Sequence, residues 1–271
     1  MYKIAFLGAG NMGGAMIRAI VDMKAENASN IYVYDRDTDK LKAFAEAVGV
    51  NISESSKDAV MSADVIFLAV KPNVIDNVCE EIKDCISGKY IVSIAAGVTV
   101  SRMLDILGSD TKIVRSIPNL PAMVGAGITG IFYYNYNIND SAVKAYIQKL
   151  FEAFGKVVVV DKEKMIDEMI SVTSSSPAYF CLMIEAMADA AVKAGFTRKD
   201  ALIMAEQAMY GTAKLLIEKE IHPAVLKDNV CSPGGTTIEA VTSLEEGGFR
   251  SSIIKAMEAC EKKAVRKEGY V

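Results

Sequence analysis

Near its start the chain passes from an apolar, β-favouring run, "KIAFLG" (Lys3–Gly8), into the spacing Gly8-x-Gly10-x-x-Gly13 and on into an amphipathic segment, Asn11 to Val21. Few folds accommodate that order. A strand that turns through glycines into a helix uses Gly8 for the tight turn, Gly10 for close approach to a bare backbone and Gly13 for helix–strand contact. The helix start adds unpaired N–H groups and a partial positive charge, so the loop suits a pyrophosphate. Asn11 and Met12, inside the loop, belong to the same expected contact set. An acid ends the next β-favouring run, Asp35 in "IYVYD" (Ile31–Asp35), and completes the pattern of a dinucleotide-binding βαβ unit.

Three further nearly unbroken apolar runs follow, Asp64–Val70, Tyr90–Ala96 and Lys112–Ile117, with amphipathic segments at Leu41–Ala47 and Val74–Ile86. Apolar strands alternating with helices predict a parallel sheet covered on both faces. "AGITGIFYY" (Ala126–Tyr134) and "GKVVVV" (Gly155–Val160) flank a helix near Ser141–Phe154 and finish the sheet. From Glu163 onward the spacing is helical: Glu163–Val172, Pro177–Gly195, Arg198–Glu218, Thr236–Glu246 and Ser251–Lys267. The chain therefore reads as a Rossmann-type α/β domain over 1–162, doubly wound with a mostly parallel sheet, followed by an all-α domain over 163–271. The Pro177–Gly195 segment is apolar almost all the way round, and helices of that kind are buried on every side. The helical domain offers little to surround it, which points to a partner subunit; the central helix of one bundle is the alternative.

Lys plus Arg is 30 against 34 for Asp plus Glu, a net charge of −4 without blocks of like charge, so nucleic acid is not an expected partner. The N-terminus enters a strand pattern at once, without the look of a secretory signal. The most apolar run, Pro177–Val192, carries Glu185 and Asp189 and is too short to span a bilayer, so no membrane is expected. The 5 cysteines have no metal-ligand spacing, and their odd number suits reduced thiols in a cytoplasmic protein. A single histidine, His222, removes Ser-His-Asp triads and multi-histidine metal sites from consideration. Its place before Pro223 suits a helix cap better than a proton donor.

A second glycine pair lies in "NVCSPGGTTIEAV", Asn229 to Val241. Gly234 and Gly235 permit dihedrals closed to other residues, Thr236 or Thr237 suits an N-cap, and Glu239 follows Thr236 at capping-box spacing. The same geometry presents consecutive backbone amides to a small anion. With neither Lys nor Arg inside the motif, that anion would be a carboxylate held by backbone, with Ser232 and Thr237 adding hydroxyls. The residues alone serve a cap and a carboxylate site equally well.

On the dinucleotide side, Asp35 suits a ribose 2′-hydroxyl and NADH, whereas Arg36 suits the 2′-phosphate of NADPH, and both cofactors stay open. "AVKP" (Ala69, Val70, Lys71, Pro72) and Ala96–Gly97 of "SIAAG" end strands on the carboxyl edge and are expected to line the nicotinamide half.

The combination of "LKDNVCSPGGTTIEAV", "SSSPAYFCLMIEAMADAAV", "AVKP", "SIAAGV" and "IPNLPA" resembles pyrroline-5-carboxylate reductase over essentially the whole chain. The resemblance implies reduction of 1-pyrroline-5-carboxylate to L-proline by NADPH or NADH, the last step of proline biosynthesis. It also implies a helical domain that interlocks with a second subunit, giving a homodimer that assembles into a larger ring such as a decamer. Carried over by position, the substrate carboxylate meets backbone of Ser232, Gly235 and Thr236, with Gly234 shaping the turn. Thr237 is then the catalytic residue, its hydroxyl bonded to the ring nitrogen, while Asn229 and Glu163, with Glu220, fall near the same pocket. Ser56 matches a position that contacts the adenosine half. Thr236 stands where some relatives have a smaller residue, and "YDR" replaces more neutral second-strand ends.

Hydride transfer is cofactor chemistry, and the protein supplies position and electrostatics, which fits a chain so poor in acid–base side chains. Two alternatives stand beside this reading, the first a reductase of the same two-domain layout and the second a different class. A β-hydroxyacid dehydrogenase would place a lysine where "MISVTSSSPAYF" has none. A non-catalytic nicotinamide sensor would leave the second glycine loop unexplained.

Overall fold

The computed structural model of the chain describes residues 2–266. Six strands, β1 (Ile4–Leu7), β2 (Ile31–Tyr34), β3 (Asn51–Ile52), β4 (Val65–Leu68), β5 (Tyr90–Ser93) and β6 (Lys112–Pro118), pair in parallel in the order β3-β2-β1-β4-β5-β6. β7 (Gly127–Tyr134) runs antiparallel to β6, and β8 (Gly155–Val159) pairs in parallel with β7, completing an 8-stranded sheet. The order reverses between β1 and β4, which opens the crevice where doubly wound sheets hold ligands at their strand ends. The doubly wound, mostly parallel sheet is the one the sequence predicts.

All residues of β1 and β4 are buried because helices cover both faces. On one face Phe6 and Phe67 stack with centroids 4.5 Å apart, under Met16, Ile17 and Ile20 of α1 (Asn11–Asp22) and Leu150 and Phe151 of α6 (Ser141–Glu152). On the other, Ala5, Leu7, Ile66 and Leu68 pack with α3 (Ser56–Met61), α4 (Ile75–Ile82) and α5 (Val100–Leu107). Side-chain caps start several of these helices: Asp37 for α2 (Thr38–Val48), Ser55 for α3 and Thr99 for α5. The predicted strands Asp64–Val70 and Tyr90–Ala96 are shorter in the structure, ending at Leu68 and Ser93. The apolar residues beyond them, Val70 and Ala95, continue into loops that pack against the core.

By internal contacts the chain forms two units, one running to Ser174 and resuming at Glu261, the other Ser175–Cys260. In the first, α7 (Lys164–Met169) leads into a π-helical turn, Ile170–Ser174. The second holds α8 (Ser176–Lys193), α9 (Arg198–Lys219), α10 (Pro223–Val230), α11 (Thr236–Glu246) and the start of α12 (Phe249–Arg266). The predicted end of the last helix, Lys267, lies outside the described residues. Among the described residues no helix is long and apolar enough to cross a membrane.

The helical unit has almost no interior of its own. Its buried residues are the alanines Ala188, Ala201 and Ala205, whereas Leu182 and Ile217 are 66% and 68% exposed. The apolar helix α8, expected to be covered on every side, buries only Ala188 within one chain. α8 and α9 leave an open hollow of about 350 Å³ between Phe180, Met183, Met187, Met209 and Leu216.

Candidate active site

The glycine loop is built by three different constraints. Gly8 has φ of +108°, and a Cβ there would lie 2.5 Å from the Ala69 carbonyl oxygen, so the loops after β1 and β4 are in contact. A Cβ on Gly13 would lie 2.4 Å from the Gly8 oxygen, which fixes α1 against its own strand. Gly10 is different: nothing lies within 4 Å of its missing side chain. It is the N-cap of α1, with no side chain bonded to the first turn. The arrangement is a cradle of unpaired N–H groups beside open space, and it fits a dinucleotide pyrophosphate.

Asp35 does more than end β2. Its Oδ2 accepts from Ala9 N at 2.7 Å and its Oδ1 from Asp37 N at 3.0 Å, so the acid ties the glycine loop to the second strand. Next door, the Asp37 carboxyl is held below its ordinary value by hydrogen bonds from Lys40. Arg36 Nη2 lies 3.5 Å from Glu81 Oε1, and the buried Ser56 hydroxyl donates to Glu81 Oε2 at 2.8 Å. One cavity of about 260 Å³ joins Gly8, Gly10, Asp35, Arg36, Ser56 and Glu81, and reaches Ala69, Val70 and Lys71. Asn11 lines a neighbouring hollow on the other side of the loop, while Met12 and the buried Gly13 face neither. Pro72 opens a 3-10 turn after Lys71. Ala96 and Gly97 follow β5 on the same carboxyl edge, Gly97 with φ of +71°.

Glu163 is bound within the first unit. Its Oε1 accepts from Val100 N at 2.7 Å, at the start of α5, and from Arg115 Nη1 at 2.9 Å. Arg115, only 2% exposed, also donates to Asp167 at 2.5 Å through Nη2. This cluster pins α7 and the start of α5 to the middle of β6. Arg115 and Asp167 were not among the sequence-predicted residues. The signal was a charge inside an apolar strand, "KIVRSI", which a buried position tolerates only with partners.

In the helical unit, the stretch Ser232–Gly235 forms a tight turn ahead of α11. Gly234 has φ of +69°, and Gly235 N donates to Ser232 O at 3.0 Å. The N-cap is Gly235, not either threonine: Thr236 is already helical, and no side chain caps the first turn. The physical reason is the turn itself: Gly234 at positive φ and the Gly235 N–H bond to Ser232 O leave Gly235 extended, so the helix begins at Thr236. Gly235 N closes the turn and is therefore not free for an anion, contrary to expectation, whereas the N–H groups of Thr236 and Thr237, in the first turn of α11, have no intrahelical acceptor. Thr237 is half-buried, and Ser232, Thr236 and Asn229 are exposed. Glu220, with φ of +51°, ends α9. His222 caps α10, accepting from Ala224 N at 3.2 Å through Nδ1, as the His-Pro pair predicts.

A larger hollow of about 460 Å³ at the amino ends of β5 and β6 is lined by Lys83, Lys89 and Lys112. Each ammonium is already engaged, by Glu80, the Ala63 carbonyl and Asp140 respectively, so none of the three lysines is left free to hold an anion there.

Two family models match the chain: pyrroline-5-carboxylate reductase dimerisation over residues 163–267, and NADP oxidoreductase, coenzyme F420-dependent, over residues 3–97. Pyrroline-5-carboxylate reductase of Escherichia coli (strain K12) is 43% identical over 263 residues, covering 97% of this chain and 97% of that protein. The chain belongs to the pyrroline-5-carboxylate reductase family. A solved pyrroline-5-carboxylate reductase from Coxiella burnetii superposes with a TM-score of 0.94 at 34% identity, over 99% of both chains. The Plasmodium falciparum pyrroline carboxylate reductase, solved with NADP bound, gives 0.85 at 29% identity over 99% of this chain and 98% of its own.

Proposed function

We propose that the chain is a working pyrroline-5-carboxylate reductase that reduces 1-pyrroline-5-carboxylate to L-proline with NADPH or NADH, in proline biosynthesis. The observation that carries the reading is the glycine-led, uncapped start of α11, in a chain that matches this family over 97% of its length. Bound in the cradle after β1, the nicotinamide cofactor supplies the hydride. The residues that would hold it are the amides at Gly10, Asn11, Met12 and Gly13 for the phosphates, and Asp35, Arg36 and Ser56 for the adenosine ribose. Ala69–Pro72 and Ala96–Gly97 would line the nicotinamide half.

The substrate carboxylate takes the N–H groups of Thr236 and Thr237 in the turn shaped by Gly234 and Gly235, with the Ser232 hydroxyl and Asn229 beside it. The Thr237 hydroxyl bonds to the ring nitrogen while the imine becomes an amine. A protonated imine is already electrophilic, so no strong acid is required at the moment of transfer. Glu163 contributes through the α5 start and Arg115.

In this reading residues 1–162 serve the dinucleotide, and 163–271 serve substrate and assembly. The exposed apolar surface of α8 and α9 supports a homodimer. Burying each Leu, Ile, Phe or Met side chain there stabilises by about 1.5–3 kcal/mol, and one chain leaves many of them in water. Assembly into a larger ring such as a decamer and a cytoplasmic location complete the reading.

The test is direct. Purified protein given 1-pyrroline-5-carboxylate should oxidise NADPH or NADH and form one L-proline per cofactor consumed. A chain that binds cofactor and oxidises none of it on adding this imine is not this reductase.

A further inference from the structure

Glu81 sits in the last turn of α4, where the helix macrodipole disfavours a carboxylate and no basic residue offsets it. Its partners come from elsewhere in the chain. Oε2 accepts from the hydroxyl of Ser56, only 6% exposed at the start of α3, and Oε1 pairs with Arg36 just after β2. All of them line the cavity that runs from the glycine loop past Asp35. Arg36 and Ser56 are a guanidinium and a hydroxyl donor, the chemistry that grips a phosphate. Here both are held by a resident anion of the chain itself.

We propose that Glu81 is a specificity-determining residue that selects against the 2′-phosphate of the dinucleotide by occupying its two donors. The inference rests on the reading of this cavity as the ribose end of the cofactor site. A 2′-phosphate entering the cavity has to take Arg36 from Glu81 and lie beside two carboxylates, Glu81 and Asp35. An unphosphorylated ribose meets neither obstacle and finds acceptors for its hydroxyls. The cavity therefore favours NADH, with Glu81 adding to the charge of Asp35 by holding both donors.

Calorimetric titration of the full-length protein with NADP⁺ and with NAD⁺ tests this without reference to turnover, because the two ligands differ only in the 2′-phosphate. Glu81→Gln keeps an acceptor for Ser56 and removes the charge. It should tighten NADP⁺ about tenfold, the order expected for one charge a few ångströms away in a partly solvated site, and leave NAD⁺ within about twofold. The gain should shrink as salt is raised and vanish in the double variant Glu81→Gln, Arg36→Ala. Circular dichroism and thermal unfolding of each variant report that it has folded. Equal shifts for the two dinucleotides, or none for NADP⁺, overturn the proposal while leaving the cofactor site standing. If wild type binds neither dinucleotide, the cofactor reading fails and the proposal fails with it.

Discussion

The Asp35 carboxylate accepts the N–H of Ala9 at 2.7 Å. An acid at the end of a second strand is usually read as a ribose partner, but here it also braces the phosphate loop against β2. Asp35→Ala therefore removes a charge-assisted hydrogen bond to the loop, a loss of about 1.5–3 kcal/mol. Affinity for NADH should fall tenfold or more in fluorescence titrations, and affinity for NADPH should fall by less, because its 2′-phosphate also loses a neighbouring carboxylate. A variant that loses NADH but gains NADPH would show that Asp35 reads the ribose and nothing else.

Arg115 is the only cation bonded to Glu163 and Asp167 among the described residues, from a position 2% exposed. Removing one partner of a buried ion cluster strands the others, at a cost of about 3–5 kcal/mol. Arg115→Met should lower unfolding stability by that order in urea titrations, and adding Asp167→Asn should recover part of it. A change under about 0.5 kcal/mol would mean that the cluster is not a keystone of β6 and α7.

Asp140 gives a pH dependence. Burial pushes its carboxyl up, but the Asn137 N–H, the Lys112 ammonium and the Tyr90 hydroxyl together hold it below the ordinary carboxylate value. A lowered folded value means stability present above the unfolded value of about 3.9 and lost as pH falls through the folded one. Asp140→Asn should be less stable than wild type at neutral pH, and the gap should close below about pH 4. A gap independent of pH contradicts the assignment.

Thr237 is the one side chain asked to act at the reacting nitrogen. Thr237→Val keeps the shape of the α11 start and removes the hydroxyl. At about 1.5–3 kcal/mol for a hydrogen bond to a charged group, kcat/KM for the imine should fall roughly tenfold to a hundredfold, while dinucleotide affinity stays unchanged. A loss under about twofold in steady-state assays removes Thr237 from the reaction.

What the sequence reveals follows the range of the interactions involved. The glycine loop, Asp35 and the helices of the second unit are legible because strand runs, glycines and helical spacing are local. β3, Asn51–Ile52, is too short to show any period. Arg115 is far in sequence from Glu163 and Asp167, so only the odd charge in β6 hinted that a cluster would form there. The start of α11 reads as a threonine cap because two threonines follow the glycines. The turn closed between Gly235 N and Ser232 O, invisible in a one-dimensional pattern, places the cap at Gly235 instead. The apolar circumference of α8 is plain in the sequence, but it describes a surface that one chain does not bury.

The account stands on the α11 turn as the seat of a carboxylate. A crystal structure with L-proline and oxidised cofactor measures this most directly. The carboxylate oxygens should lie at hydrogen-bond distance, roughly 2.7–3.2 Å, from the N–H groups of Thr236 and Thr237, with the ring nitrogen on the Thr237 hydroxyl. Proline bound elsewhere, with that turn empty, would contradict it.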